Sequence, residues 1–228
     1  DLTTMKNIVF TLGLFGLLFI GEHAQTFETS KYPIENTNSE INQLAANGEL
    51  RNGDLIFQSS LSGQSKAIQL ATKSQYSHCG IIYQEGNKFY VFEAVQPVKR
   101  TPLSKWIARG QGGKYVIKRL KNADQVLTPA ALQKMKQVGD EFKGKNYDLT
   151  FEWSDEKIYC SELIWKVYQR ATGIEIGKLE KLSSFDLTSK TVKKIMKERY
   201  GNTIPMNETV ISPAAVFESD LLITVKQN

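Results

Sequence analysis

An α+β domain is what this sequence predicts, on three observations. Strand-like apolar runs bunch between residues 54 and 120, helix-like patterns lie on either side of them, and the regular strand–helix–strand alternation of a parallel sheet is missing. With 41% of 228 residues hydrophobic and 23% charged, the chain can bury a substantial core. A single domain behind a leader is the expected organisation.

The leader is "MKNIVFTLGLFGLLFIGEHAQ": a lysine, an apolar run from Ile8 to Ile20, and Ala24 at a cleavage point. That is the pattern of a signal peptide. The run falls short of the ~20 residues a spanning helix wants, so an uncleaved anchor is the second reading and the mature chain should carry no stable membrane span. The four residues before Met5, "DLTT", read as the remnant of an upstream frame. Residues 1–24 are thus set apart, and residues 25–228 are expected to form one domain exported to the periplasm, the cell envelope or the medium. The formal charge of +5 becomes +6 once Lys6, Asp1 and Glu22 leave with the leader. Such mild basicity serves solubility. Its one dense run, "KTVKKIMKERY", spaces Val192, Ile195 and Met196 as the buried stripe of a helix, so no nucleic-acid partner is expected.

In chain order, "NSEINQLAANGEL" reads as a short helix ending near Gly48, and Asn52-Gly53-Asp54 turns the chain into a strand. Ala67, Ile68 and Ala71 mark a second helix. Two strands, about Cys79–Tyr83 and Phe89–Val95, flank a turn at "QEGNK", and "YVIKRL" is another. Thr128-Pro129 caps a helix running to about Phe142. A further helix, capped by Ser154 or Asp155 and closed by Gly173, carries Cys160 in its first two turns. Ser212-Pro213 opens a last one.

Chemistry concentrates in the strand pair. If its loop has two residues, Glu85-Gly86 or Gly86-Asn87, His78 and Glu93 share a face as direct or diagonal neighbours. A three-residue loop without a bulge would separate them. Glu93 stands among Phe89, Val91 and Val95, where an unpaired carboxylate is costly and a histidine is a natural partner. The pair alone equally suits a solvated glutamate beside a satisfied core histidine. Cys160 shares a stripe with Leu163, Ile164, Val167, Tyr168 and Ala171, as a small buried hydrophobe would. Its place near a helix N-terminus is also where a thiol's pKa falls and an oxyanion can be held. Thiolate, imidazole and orienting carboxylate together make the triad of cysteine acyl transfer. Cys79, next to His78, should point to the opposite face among Tyr90, Phe92 and Ala94, so Cys160 is not expected to meet both, and a Cys79–Cys160 disulfide becomes the minor alternative. One usable histidine and two divergent cysteines give no metal-ligand spacing, and no glycine-rich phosphate loop occurs; no metal or cofactor is expected.

Four segments in order, "LRNGDLIF", "QSKAIQLATKSQYSHCGIIY", "FYVFEAV" and "YCSELIWKVY", resemble the circularly permuted branch of the NlpC-type papain-like cysteine hydrolases, the YiiX/YebB-like group. The resemblance spans about Leu50 to Ala171. It implies an antiparallel sheet or half-barrel packed against helices, with Cys160 as nucleophile at a helix N-terminus, His78 as base and Glu93 as the residue that orients it. Asp54 would be structural, and Tyr159 would line the site or assist the oxyanion. Cys79 departs from the apolar residue usual there. The implied activity is cleavage of an amide or ester in a cell-wall peptide or a lipid or acyl substrate. An acyltransferase, or an acyl-binding module without turnover, is the alternative on the same fold.

Overall fold

In the computed structural model the described residues are 34–228. The leader and its cleavage point lie outside them. Helix α1 (Ile34–Ala46) is followed by strand β1 (Leu55–Gln58), helix α2 (Ser65–Thr72) and the hairpin of β2 (His78–Glu85) and β3 (Lys88–Glu93). Then come β4 (Lys99–Pro102), α3 (Leu103–Arg109), β5 (Val116–Leu120), the single turn α4 (Ala123–Val126) and α5 (Pro129–Phe142). The remainder holds β6 (Asn146–Tyr147), β7 (Lys157–Ile158), α6 (Cys160–Thr172), β8 (Glu180–Lys181), α7 (Lys190–Tyr200), β9 (Thr209–Val210), α8 (Pro213–Phe217) and β10 (Leu222–Gln227).

Six strands form one sheet in the order β10-β5-β1-β2-β3-β4, each pair antiparallel. Its central strands are apolar on both sides because both sides are covered. Leu55, Phe57, Ile81 and Phe92 pack against Met135 and Phe142 of α5 and Leu163 and Val167 of α6. Ile56, Ile82, Val91 and Ile117, one residue out of phase, pack against Leu44 of α1 and Leu103, Trp106 and Ile107 of α3. A third, smaller cluster joins Ala67 of α2 to Leu182 and to Val192 and Met196 of α7. Among the described residues no helix is long and apolar enough to cross a membrane.

Three local features depart from expectation. The helix bearing the cysteine begins at Cys160 itself rather than after Ser154 or Asp155, because residues 157–158 pair as a strand with residues 146–147 and Asp155 binds Lys166 and Arg170 instead of capping. Strand β4, "KRTP", is polar and carries a proline, which a sheet tolerates at its edge and which conceals it from pattern reading. Helix α3 has only seven residues, too few to display a period. By contrast Thr128 caps α5 by accepting the Ala131 N–H, and Gly173 ends α6 in the left-handed conformation.

Candidate active site

The hairpin turn decides where His78 and Glu93 stand. Glu85 pairs with Lys88, so the loop is Gly86-Asn87, and Gly86 takes the positive φ that such a tight turn requires. Ile81 lies opposite Phe92, and continuing that register by one pair sets Gly80 opposite Glu93 and His78 diagonal to it on the same face. Gly80 keeps the diagonal open: a Cβ there would come 2.4 Å from Val91 Cγ1 and 3.4 Å from Glu93 Cβ. His78 Nε2 reaches Glu93 Oε2 at 2.6 Å.

Glu93 is wholly buried and fully occupied. Besides His78, its Oε2 accepts from Trp106 Nε1 at 2.9 Å and Arg109 Nη2 at 2.5 Å, and its Oε1 accepts from Thr101 Oγ1 at 2.6 Å. The Trp106 ring also stacks on the imidazole, with centroids 5.8 Å apart. Burial alone would push the Glu93 pKa up, but His78 and Arg109 overcome it and hold the carboxyl down to about 2.

With Nε2 committed to Glu93, Nδ1 is left to face Cys160, the buried first residue of α6. Burial disfavours a charged ring, yet hydrogen bonding to Cys160 and Glu93 lifts His78 to about 9. The Cys160 thiol is held well below its ordinary value, first by a hydrogen bond from Cys79 and then, against burial, by His78. The shifts thus favour the charged forms of Cys160, His78 and Glu93, which with the Arg109 guanidinium would alternate in sign.

Cys79 overturns one expectation. It does point to the face opposite His78, into the core with Ile81 and Phe92. However, the Cys160 sulfur takes hydrogen bonds from both the His78 and the Cys79 side chains and from the Cys79 backbone N–H. Alternation fixes which face a strand's side chains take, whereas its backbone N–H groups lie in the plane of the sheet and belong to neither face. Both cysteines are free thiols, and burial together with Cys160 pushes the Cys79 thiol up.

Asp54, the expected structural turn residue, is buried and accepts from Arg51 N and from Arg119 Nε and Nη2, tying the entry of β1 to β5. Tyr159 precedes Cys160 and lines the site, but its hydroxyl accepts the Ile211 N–H. Tyr147 was not anticipated. Its hydroxyl accepts from Gln64 Nε2 at 2.8 Å, and after burial the Cys160 charge is the next influence that raises its pKa. Thr101, Trp106 and Arg109 also escaped the sequence reading; the only signal was Trp106 and Arg109 three apart, on one face of a short helix.

Cys160 lines a cavity of about 90 Å³ between α2, α7 and the segments around β6 and β9. Ala67, Ile68, Leu182, Val192, Met196 and Val210 make it apolar. At its rim Gln64 bridges Tyr147 and Arg199.

Comparison with known proteins agrees with this architecture. Residues 49–226 match the family described as "Permuted papain-like amidase enzyme, YaeF/YiiX, C92 family". The chain is 53% identical over 173 residues to the uncharacterized protein YiiX of Escherichia coli strain K12, covering 76% of this chain and 84% of that protein. It superposes with a TM-score of 0.75 on the crystal structure of YiiX from Escherichia coli O157:H7, which is described as a metalloprotein; the match is 50% identical and covers 79% of this chain and 98% of the other. Among the described residues no three His, Cys, Asp or Glu side chains gather to hold a metal ion, so the donor set here does not fit one and no step is routed through it.

Proposed function

Since this chain belongs to the permuted papain-like amidase family, we propose that it is a cysteine hydrolase acting on an acyl amide or ester, with Cys160, His78 and Glu93 as its triad. One observation carries the reading: Cys160, whose sulfur meets the imidazole, also lines a cavity whose wall is apolar.

The Cys160 thiolate attacks the carbonyl carbon, and the carbonyl π electrons move to oxygen. The N–H groups opening α6 and the Tyr147 O–H are the donors nearest to that oxyanion. His78 passes its Nδ1 proton to the leaving amine or alcohol as the C–N or C–O bond breaks, which leaves a thioester on Cys160. Water then gives a proton to His78 and its oxygen to the acyl carbon, and the acid departs as the thiolate returns. Glu93 holds the imidazole's tautomer and orientation throughout.

The cavity favours the acyl or lipid branch of the expected substrates over a cell-wall peptide, whose backbone amides would find few partners on an apolar wall. The test is to incubate the protein with acyl amides of graded chain length and with cell-wall peptides, reading adducts on Cys160 by intact mass. Acyl adducts that disappear in Cys160→Ala support the proposal; adducts from peptides alone would move the substrate to the wall. Export is the companion proposal, from the leader, and a chain recovered from the envelope or medium should begin near Gln25.

A further inference from the structure

The orienting carboxylate is not left to the histidine. Glu93 Oε2 is shared by His78 Nε2 at 2.6 Å and Arg109 Nη2 at 2.5 Å, so the guanidinium and the imidazole meet at one oxygen. Trp106, one helical turn back on α3, donates to the same oxygen at 2.9 Å and stacks on the imidazole. Thr101 of β4 takes the other oxygen. Neither α3 nor β4 contributes to the cavity wall. The Thr101 hydroxyl, the Trp106 N–H and the Arg109 guanidinium reach the site through Glu93.

We propose that Arg109 is a positioning residue that sets the pH window of the Cys160–His78 pair by neutralising Glu93. A carboxylate paired with histidine alone would leave the cluster one negative charge richer. That charge would oppose formation of the thiolate and strengthen the hold on the imidazolium proton, so both limbs of the working range would move to higher pH. Arg109 cancels it. The other ionisable groups facing the pair are Cys79, whose side chain and N–H bond the sulfur, Tyr147 and Tyr159, both raised by the Cys160 charge, and Arg199, joined to Tyr147 through Gln64; none hydrogen-bonds Glu93. Because the Arg109 side chain is 25% exposed while Glu93 is wholly buried, its removal changes the charge of the cluster without opening the core.

The inference rests on reading Cys160 and His78 as a thiolate–imidazolium pair, and its test separates the two. The rate of Cys160 alkylation by iodoacetamide is followed from pH 4 to 10 for the full protein and for Arg109→Met and Arg109→Lys, with site-resolved mass and thermal melting recorded for each. The expected result is an alkylation midpoint well below the ordinary thiol range in the wild type, moved up by about one pH unit in Arg109→Met, as for a charge removed across an effective dielectric of ~20, and largely restored in Arg109→Lys. A wild-type midpoint at the ordinary thiol value would overturn the pair itself. An acidic wild-type midpoint that neither substitution moves would overturn only the role of Arg109. If Arg109→Met does not fold, Arg109→Gln decides, since it keeps an N–H donor for Glu93 and deletes only the charge: a midpoint moved up by about one pH unit supports the role of the guanidinium charge, and an unmoved one overturns it.

Discussion

Replacing Glu93 with glutamine keeps the side chain's shape and deletes its charge, which makes it the sharpest single perturbation of the site. The carboxyl is held from an ordinary 4.5 down to about 2, and His78 is lifted from 6.5 to about 9. At about 1.4 kcal/mol per pH unit either displacement corresponds to roughly 3 kcal/mol; the His78–Glu93 contact enters both, and Cys160 contributes first to the rise of His78, so they are not summed. The depressed carboxyl contributes stability above its unfolded pKa of 4.5 and loses it as pH falls toward about 2. The raised imidazole contributes below 6.5 and loses it as pH rises through about 9. Glu93→Gln should therefore cost about 3 kcal/mol where both hold, near pH 5 to 6. The deficit should shrink toward pH 2 on one side and above pH 9 on the other, with a remnant at high pH from the unpaired Arg109. Urea unfolding followed by tryptophan fluorescence at pH 3, 5.5 and 10, compared between wild type and variant, measures it. A deficit that stays constant across the three would refute the charge pairing and leave Glu93 as a packing residue.

Three further outcomes follow from the same geometry. Gly80→Ala places a Cβ 2.4 Å from Val91 Cγ1 and 2.9 Å from the Phe92 carbonyl oxygen, and should lower stability by about 1–3 kcal/mol in thermal or urea melts while weakening the His78–Glu93 diagonal. Cys79→Ala removes a hydrogen bond to the Cys160 sulfur, so the Cys160 alkylation midpoint should rise by about one pH unit; an unchanged midpoint would show that His78 suffices. Met196→Trp fills the cavity from α7, and should raise KM for long acyl chains about tenfold or more while leaving short ones near wild type, in steady-state assays across chain lengths.

Much of the site could be read from the chain because it depends on short-range rules. A glycine-containing two-residue turn sets the register of β2 on β3, period-two alternation then puts His78 and Glu93 on one face, and the apolar stripe from Cys160 to Tyr168 marks residues of α6 that pack in the core with the sheet. The family resemblance joined these pieces in the right order. What the sequence by itself determined, then, was the hairpin, the helix of Cys160 and the histidine–glutamate pair, all governed by neighbours a few residues apart. Tertiary structure alone decided the rest. Arg109 and Trp106 reach Glu93 because α3 lies on the face of the sheet away from α6, and Cys79 meets Cys160 through its backbone N–H as well as its side chain. The apolar cavity exists because α7 packs on α2 across more than a hundred residues of chain. Such contacts follow from how layers stack, a long-range outcome that local periodicity does not encode.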